Sequence, residues 1–232
     1  MSDTDQTHIQ PQTPTIAMLR TLGGIAMLAG FMVVLVFQWT KPIIEENKRI
    51  AIEKAVFKVV PGAISRRDFI IGPDGLFPAE TSTSDQGETI YATYNEKGDL
   101  QGIALEAAAI GYQDVIRILY GYNPGCECIT GIKILKMAET PGLGDKIAFD
   151  PEFLKNFEAL DGRVNGPGTA LEHEIKAVKH GTKGEPWQID SISGATISSK
   201  AIGRMLNQSG QKMFPLIARH LEQLKEKPGS IE

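Results

Sequence analysis

The sequence predicts an α+β fold in which a single N-terminal transmembrane helix precedes one domain built from a sheet packed by helices. Three observations carry this prediction. No charged residue occurs between Arg20 and Lys41. Short apolar runs bounded by turn formers follow one another between residues 89 and 135, the mark of consecutive strands. Helical spacing then returns near residue 150 and from about residue 198 onward. The chain has 232 residues, a net charge of -4, 42% hydrophobic and 22% charged residues. Those values suit an anchor plus one domain large enough to bury a core. The mild acidity argues against nucleic acid, which calls for a basic face.

In chain order, residues 1–15 are polar and rich in Thr, Gln and Pro, so a disordered tail is expected. Residues 16–40 read as the anchor. Thr21 to Phe37 is almost wholly apolar, and with Gln38, Trp39 and Thr40 it reaches about 20 residues, enough to cross a bilayer core. Trp39 falls where an interfacial aromatic belongs. Gly23, Ala26 and Gly30 lie near one helical face and permit close packing against another membrane helix. The stretch is long for the apolar part of a signal peptide, and no Ala-x-Ala site follows it, so a retained single-pass anchor is the reading.

Residues 41–62 form a juxtamembrane helix, since Ile43, Ile44, Ile50, Ala51, Ala55, Val56 and Val59 recur at helical spacing up to Pro61-Gly62. The domain then occupies residues 63–232. Gly72 to Gly87 is rich in turn formers and reads as a loop. Strands are expected at Thr89–Tyr94, Leu100–Ala109, Val115–Tyr120 and Cys128–Leu135, the first two joined by the turn Asn95–Asp99. A helix at residues 150–157 has Asp150 as N-cap and Pro151 at its first position. Two helical stretches, about 198–207 and 211–227, close the chain.

Orientation reads two ways. Lys41, Lys48, Arg49, Lys54 and Lys58 follow the anchor, whereas Arg20 and the terminal amine precede it. Counted by the positive-inside rule, the domain faces the cytoplasm.

The two cysteines, Cys126 and Cys128, are too few for a complete zinc or iron–sulfur site. Three readings remain open for them: inert thiols at a strand end, a labile disulfide closed with some strain, or a redox or metal role shared with a partner.

The chemistry is concentrated in Asp190-Ser-Ile-Ser193-Gly194-Ala195-Thr196, followed by a helical pattern. Gly194 and Ala195 let the backbone approach a bulky group. A hydroxyl at a helix start sits among unpaired N–H groups, where an anion gains about 0.3–1 kcal/mol. The residues thus offer a phosphate seat with a hydroxyl nucleophile in it. Taken alone, they equally suit a tight turn with a Ser or Thr cap. Glu139-Thr140-Pro-Gly-Leu143-Gly144 reads alone as a turn, and it lacks the third glycine of a dinucleotide-binding loop.

Together these stretches resemble the FMN-binding domain family. Asp190, Ser193, Gly194, Ala195 and Thr196 match its flavinylation signature, Asp-x-x-Ser/Thr-Gly-Ala-Thr, at every defined position. Glu139 to Gly144 is similar to the family's loop beside the flavin, and Gly111-Tyr-Gln-Asp-Val-Ile116 is a weaker match. Within the family the chain resembles the G subunits of Rnf-type complexes, with the C subunits of sodium-translocating NADH:quinone reductases close behind. Cys126-Glu-Cys128 departs from the pattern.

The resemblance implies FMN joined by a phosphoester to Thr196, moved there from FAD by a separate flavin transferase. Asp190 would orient the hydroxyl or help bind the transferase, and Glu139, Thr140, Leu143 and Gly144 would line the flavin. It further implies a non-autonomous redox subunit, in contact with other membrane and peripheral subunits of a complex that exchanges electrons between ferredoxin and NAD and translocates ions. The location implied is a bacterial inner membrane with the domain periplasmic, opposite to the charge count. Two other classes stay open: a flavin-free, membrane-tethered binding module, and a hydrolase using Ser193 or Thr196 with His173 or His180 as base.

Overall fold

The computed structural model describes residues 14–73, 75–79 and 87–226. Apart from Pro14 and Thr15, the expected tail lies outside them. The chain divides into two compact units, Met1–Arg49 and Ile50–Glu232. A helix, α1 (Thr15–Val59), supplies the described part of the first unit and enters the second. Its N-terminal stretch is long and apolar enough to cross a membrane, and side chains such as Leu28, Phe31 and Val33 along it are exposed.

The second unit holds a seven-stranded sheet. Its strands are β1 (Ser65–Gly72), β2 (Gly75–Pro78), β3 (Glu88–Tyr94), β4 (Leu100–Ile110), β5 (Val115–Asn123), β6 (Cys128–Lys136) and β7 (Leu160–Asp161), in spatial order β2-β1-β3-β4-β5-β6-β7. Every pairing in it is antiparallel. A short 3-10 helix (Gly144–Ala148) and α2 (Pro151–Lys155) precede β7. As expected, Asp150 caps α2, its carboxylate accepting the Phe153 N–H at 3.0 Å. A separate parallel pair, β8 (Lys176–Val178) and β9 (Gln188–Asp190), leads to α3 (Thr196–Arg219) and α4 (Leu221–Lys225).

Strand side chains alternate between faces, and here both faces of the central strands are covered. Ile90, Ala92 and Tyr94 of β3, Ile118, Tyr120 and Tyr122 of β5, and Ile202, Met205 and Phe214 of α3 form the main core. Each large apolar side chain buried there contributes about 1.5–3 kcal/mol. Tyr122 stacks on Phe214 with ring centroids 3.8 Å apart. On the other face Tyr91, Ala104 and Leu119 meet Ile52, Ala55, Val56, Val59 and Val60.

That second contact depends on glycine. A Cβ at Gly121 would overlap the Val59 carbonyl, one at Gly102 would lie 2.8 Å from Val60 Cγ1, and one at Gly131 would lie 3.3 Å from Val59 Cα. The three glycines on β4, β5 and β6 form a bare track on which the end of α1 lies, and the Thr130 hydroxyl donates to the Val59 carbonyl at 2.6 Å. Gly121→Ala is expected to destabilise the unit by about 1–3 kcal/mol through overpacking. Gly131→Ala is expected to cost less, and thermal unfolding in detergent checks both.

Three expectations need correction. The stretch read as a loop from Gly72 to Gly87 contains β2, because Gly72 and Gly75 pair directly and let Leu76 and Phe77 run back along β1. Residues 172–180, where no element is expected between the helix at 150–157 and the closing helices, contain β8 and the buried Ile175. The two closing helices are one continuous α3 followed by the short α4. The residues between the two expected stretches are held in the helix by tertiary contacts: Ser209 shares a 2.7 Å hydrogen bond with the Tyr120 hydroxyl, and Gly210 packs on Leu171.

Candidate functional site

Thr196 is the first residue of α3 and is exposed. The turn before it is closed by the Ala195 N–H donating to the Ile192 carbonyl at 3.0 Å. Gly194 takes φ +84° there, a value suited to glycine. Ala195 is the N-cap and supplies no side-chain hydrogen bond. A Ser or Thr cap is therefore not what the motif provides. The first N–H groups of α3 keep no side-chain cap, and the site is open, since a Cβ on Gly194 would meet only Leu143 Cδ2 at 3.8 Å. Ser199, fully buried, braces the turn by accepting the Ile192 N–H at 3.2 Å and donating to the Ala195 carbonyl at 2.9 Å.

Glu139 joins the matched stretches. Its side chain is buried, and Oε1 accepts the N–H groups of Tyr112 at 2.9 Å and Gln113 at 3.3 Å. Its Oε2 accepts the hydroxyl of the buried Ser198 in the first turn of α3. A Cβ at Gly111 or Gly144 would run into this carboxylate, so both glycines are required by its position. Thus one buried side chain ties together the 111–113 turn, the 139–144 loop and the start of α3. The resemblance places Glu139 in the flavin lining; in the structure its carboxylate is occupied in positioning these segments. Thr140 is half-buried and its carbonyl accepts the Leu143 N–H at 3.1 Å, which leaves Leu143 exposed beside Gly194. Tyr112 and Ile197 are also exposed, so with Leu143 three large exposed side chains lie on segments that Glu139 connects.

Asp190 ends β9 with its carboxylate turned to the neighbouring loop. Oδ1 accepts the Gly181 N–H at 2.7 Å, and Oδ2 lies 3.4 Å from His180 Nδ1. Asn156 brackets the same residue, its Oδ1 accepting the Asp190 N–H at 3.0 Å. Beside Asp190 and Ser193 opens a cleft of about 850 Å³ lined also by Lys146, Asn156, His180 and Lys183. Burial pushes the Lys183 ammonium below its usual range, with Asp190 partly opposing, and Nζ donates to Asn156 Oδ1 at 3.0 Å.

The hydrolase arrangement is not assembled. His180 Nδ1 lies 3.0 Å from the Ser191 carbonyl, and His173 stacks on Trp187 at 3.8 Å. Neither ring makes a hydrogen bond with Ser193 or Thr196 among the described residues. Sequence reading missed Ser198, Ser199 and Asn156. Serines early in a helix read as surface residues, and only a search for partners of the buried Glu139 could have raised Ser198.

Residues 111–210 match the family model of the FMN-binding domain. The chain is 31% identical over 182 residues to the G subunit of the ion-translocating oxidoreductase complex of Shewanella piezotolerans, covering 78% of this chain and 80% of that protein. It is 32% identical over 125 residues to the corresponding G subunit of Methanosarcina acetivorans, a match that spans 58% of that protein. The C subunit of the Na(+)-translocating NADH-quinone reductase of Parabacteroides distasonis shares the fold, with a TM-score of 0.55 at 18% identity over 78% of this chain and 96% of that one. An exposed threonine on an uncapped helix start, the segments tied by Glu139 and these matches agree: the chain belongs to the family of G subunits of ion-translocating oxidoreductase complexes.

Proposed function

We propose that this chain is an electron-transfer subunit bearing FMN as a phosphoester on Thr196, attached by a separate flavin transferase. The observation that carries the reading is the exposed Thr196 at the uncapped start of α3, held by Glu139 against the 139–144 loop. The residues fit an FMN phosphate: the hydroxyl supplies the ester oxygen, and the free N–H groups of the first turn favour its negative charge. Gly194 leaves room beside it, and Tyr112, Leu143 and Ile197 offer apolar surface to a flat ring. When bound, the flavin supplies the electron chemistry, and the protein's part is to hold and orient it. Ser193, exposed in the turn, and Asp190, which fixes the neighbouring loop, present the motif to the transferase.

The relatives named as G subunits of ion-translocating oxidoreductase complexes support a place in such a complex, in contact with its other subunits, and our reading of that complex is an Rnf-type one that passes electrons between ferredoxin and NAD. They favour it over a place in an NADH:quinone reductase. A covalent link has a physical use on the outer side of a membrane, where free FMN is scarce and an equilibrium-bound flavin would be lost by dilution.

The test is flavin fluorescence of the denatured band after co-expression with a flavin transferase. A fluorescent band supports the reading, and a dark one from a host with active transferase leaves a flavin-free tethered module. The side of the membrane is tested separately. With α1 crossing a bacterial inner membrane once and the domain periplasmic, a membrane-impermeant amine reagent is expected to label exposed lysines such as Lys155 and Lys179 in intact spheroplasts. Labelling only after lysis would put the domain in the cytoplasm, as the charge count around the anchor has it.

A further inference from the structure

Cys126 and Cys128 lie at the turn between β5 and β6 and are joined by a disulfide, their Cα atoms 5.2 Å apart. Of the three readings open in the sequence, inert thiols are excluded by this bond. A structural staple is also a poor account of it. A ring closed by so few residues restrains the unfolded chain little. The turn is moreover closed without it. Asn123 pairs with Cys128 and Tyr122 with Ile129 across the ladder, Asn123 Oδ1 accepts the Gly125 N–H at 2.7 Å, and the Glu127 carbonyl accepts the Gly162 N–H at 2.9 Å.

The bond is held at a conformational cost. Glu127, between the two cysteines, has φ +50°, the left-handed region that side chains disfavour, and it is the one non-glycine residue with positive φ among the described residues. The one residue spanned by the ring therefore sits in a conformation that L side chains disfavour. Access is unequal: Cys126 is exposed and Cys128 half-buried. A redundant disulfide, strained in its backbone and open at one sulfur, has the attributes of a labile one.

We propose that Cys126–Cys128 is a thiol–disulfide exchange site whose reductant is an external dithiol. The reductant's thiolate attacks Cys126 Sγ, the Cys126–Cys128 bond breaks, and Cys128 leaves as a thiolate that takes a proton. The second thiol of the reductant then attacks the mixed disulfide and expels Cys126, which is likewise protonated. The protein gains two electrons and two protons and ends as a dithiol, and the reductant ends as a disulfide. β5 separates this turn from the Gly111–Gln113 turn by its nine residues, about 25–30 Å at the rise of a strand. The exchange partner therefore meets the opposite end of the sheet from Thr196, and the site stands whether or not Thr196 carries flavin.

The experiment uses the full chain in detergent, both unaltered and as Thr196→Ala, so that flavin is not a variable. Dithiothreitol or a thioredoxin is added without denaturant, and free thiols are counted by maleimide mass shift. No thiols before reduction and two after it, with thermal unfolding still cooperative, are expected. Thiols that appear only after denaturation, or that are already free in the untreated protein, would overturn the proposal. Single variants test the direction of attack: Cys128→Ser is expected to react with 5,5'-dithiobis(2-nitrobenzoate) at Cys126 at least about tenfold faster than Cys126→Ser reacts at Cys128. Equal rates would overturn the assignment of Cys126 as the attacked sulfur. Should either variant fail to fold, the thiol count on the unaltered chain still decides the proposal.

Discussion

Thr196→Ala, co-expressed with a flavin transferase, is expected to run as a dark band on a denaturing gel, and Thr196→Ser as a fluorescent one. The difference lies in one oxygen. Alanine suits the first turn of a helix at least as well as threonine, so the fold should survive unchanged. Serine restores a hydroxyl at the same exposed position, with fewer restraints on its rotamer. The expected effect is therefore all or none for alanine and partial at most for serine. Fluorescence persisting in Thr196→Ala would move the attachment elsewhere, and the exposed Ser193, three residues earlier in the same turn, would be the first residue to test.

Glu139→Ala is expected to reduce both stability and flavin attachment. It would leave the Tyr112 and Gln113 N–H groups and the Ser198 hydroxyl without their acceptor in a buried setting. Each such loss costs about 1–3 kcal/mol, so a total of about 3–5 kcal/mol is reasonable once water reaches part of the cavity. Glu139→Gln keeps an acceptor for the two N–H groups and turns its amide toward Ser198, whose oxygen also accepts, so it should recover most of that loss. Thermal unfolding gives the stability, and band fluorescence per mole of chain gives the attachment. If Glu139→Ala attached flavin as fully as the unaltered chain, the carboxylate would not be what holds the loop and α3 in a form the transferase recognises.

Local patterns were legible in the sequence and distant contacts were not. The uncharged stretch after Arg20, the β3–β4 hairpin and the Asp150 cap depend on neighbours within a few residues, and each is present in the structure. The strand-to-helix turn of the Asp190–Thr196 stretch is equally local: Thr196 begins α3 and Gly194 makes the turn before it. The role of Glu139 was not legible, because its partners Tyr112 and Ser198 lie 27 and 59 residues away along the chain. β1 was hidden because Arg66, Arg67 and Asp68 make its first half look like surface, and its apolar half, Phe69 to Ile71, is short. The track of Gly102, Gly121 and Gly131 has meaning only once α1 lies on the sheet; in sequence they are three scattered glycines. The break expected near Gly210 fails for the same reason, since Leu171 and Tyr120 decide it from afar.

The position of α3 in the chain sets an order of events during biosynthesis. Strands β1 to β6 pair mostly with neighbours in sequence and are made first, but the face bearing Ile118, Tyr120 and Tyr122 is covered only when Met205, Phe214 and the rest of α3 have been synthesised. Until then that apolar face is bare to water, to chaperones and to other nascent chains. Thr196 opens the very helix that closes it. Under the proposed attachment of flavin to Thr196, a transferase would find the hydroxyl in place only on a chain whose core is complete, so attachment would act as a built-in check that folding has finished.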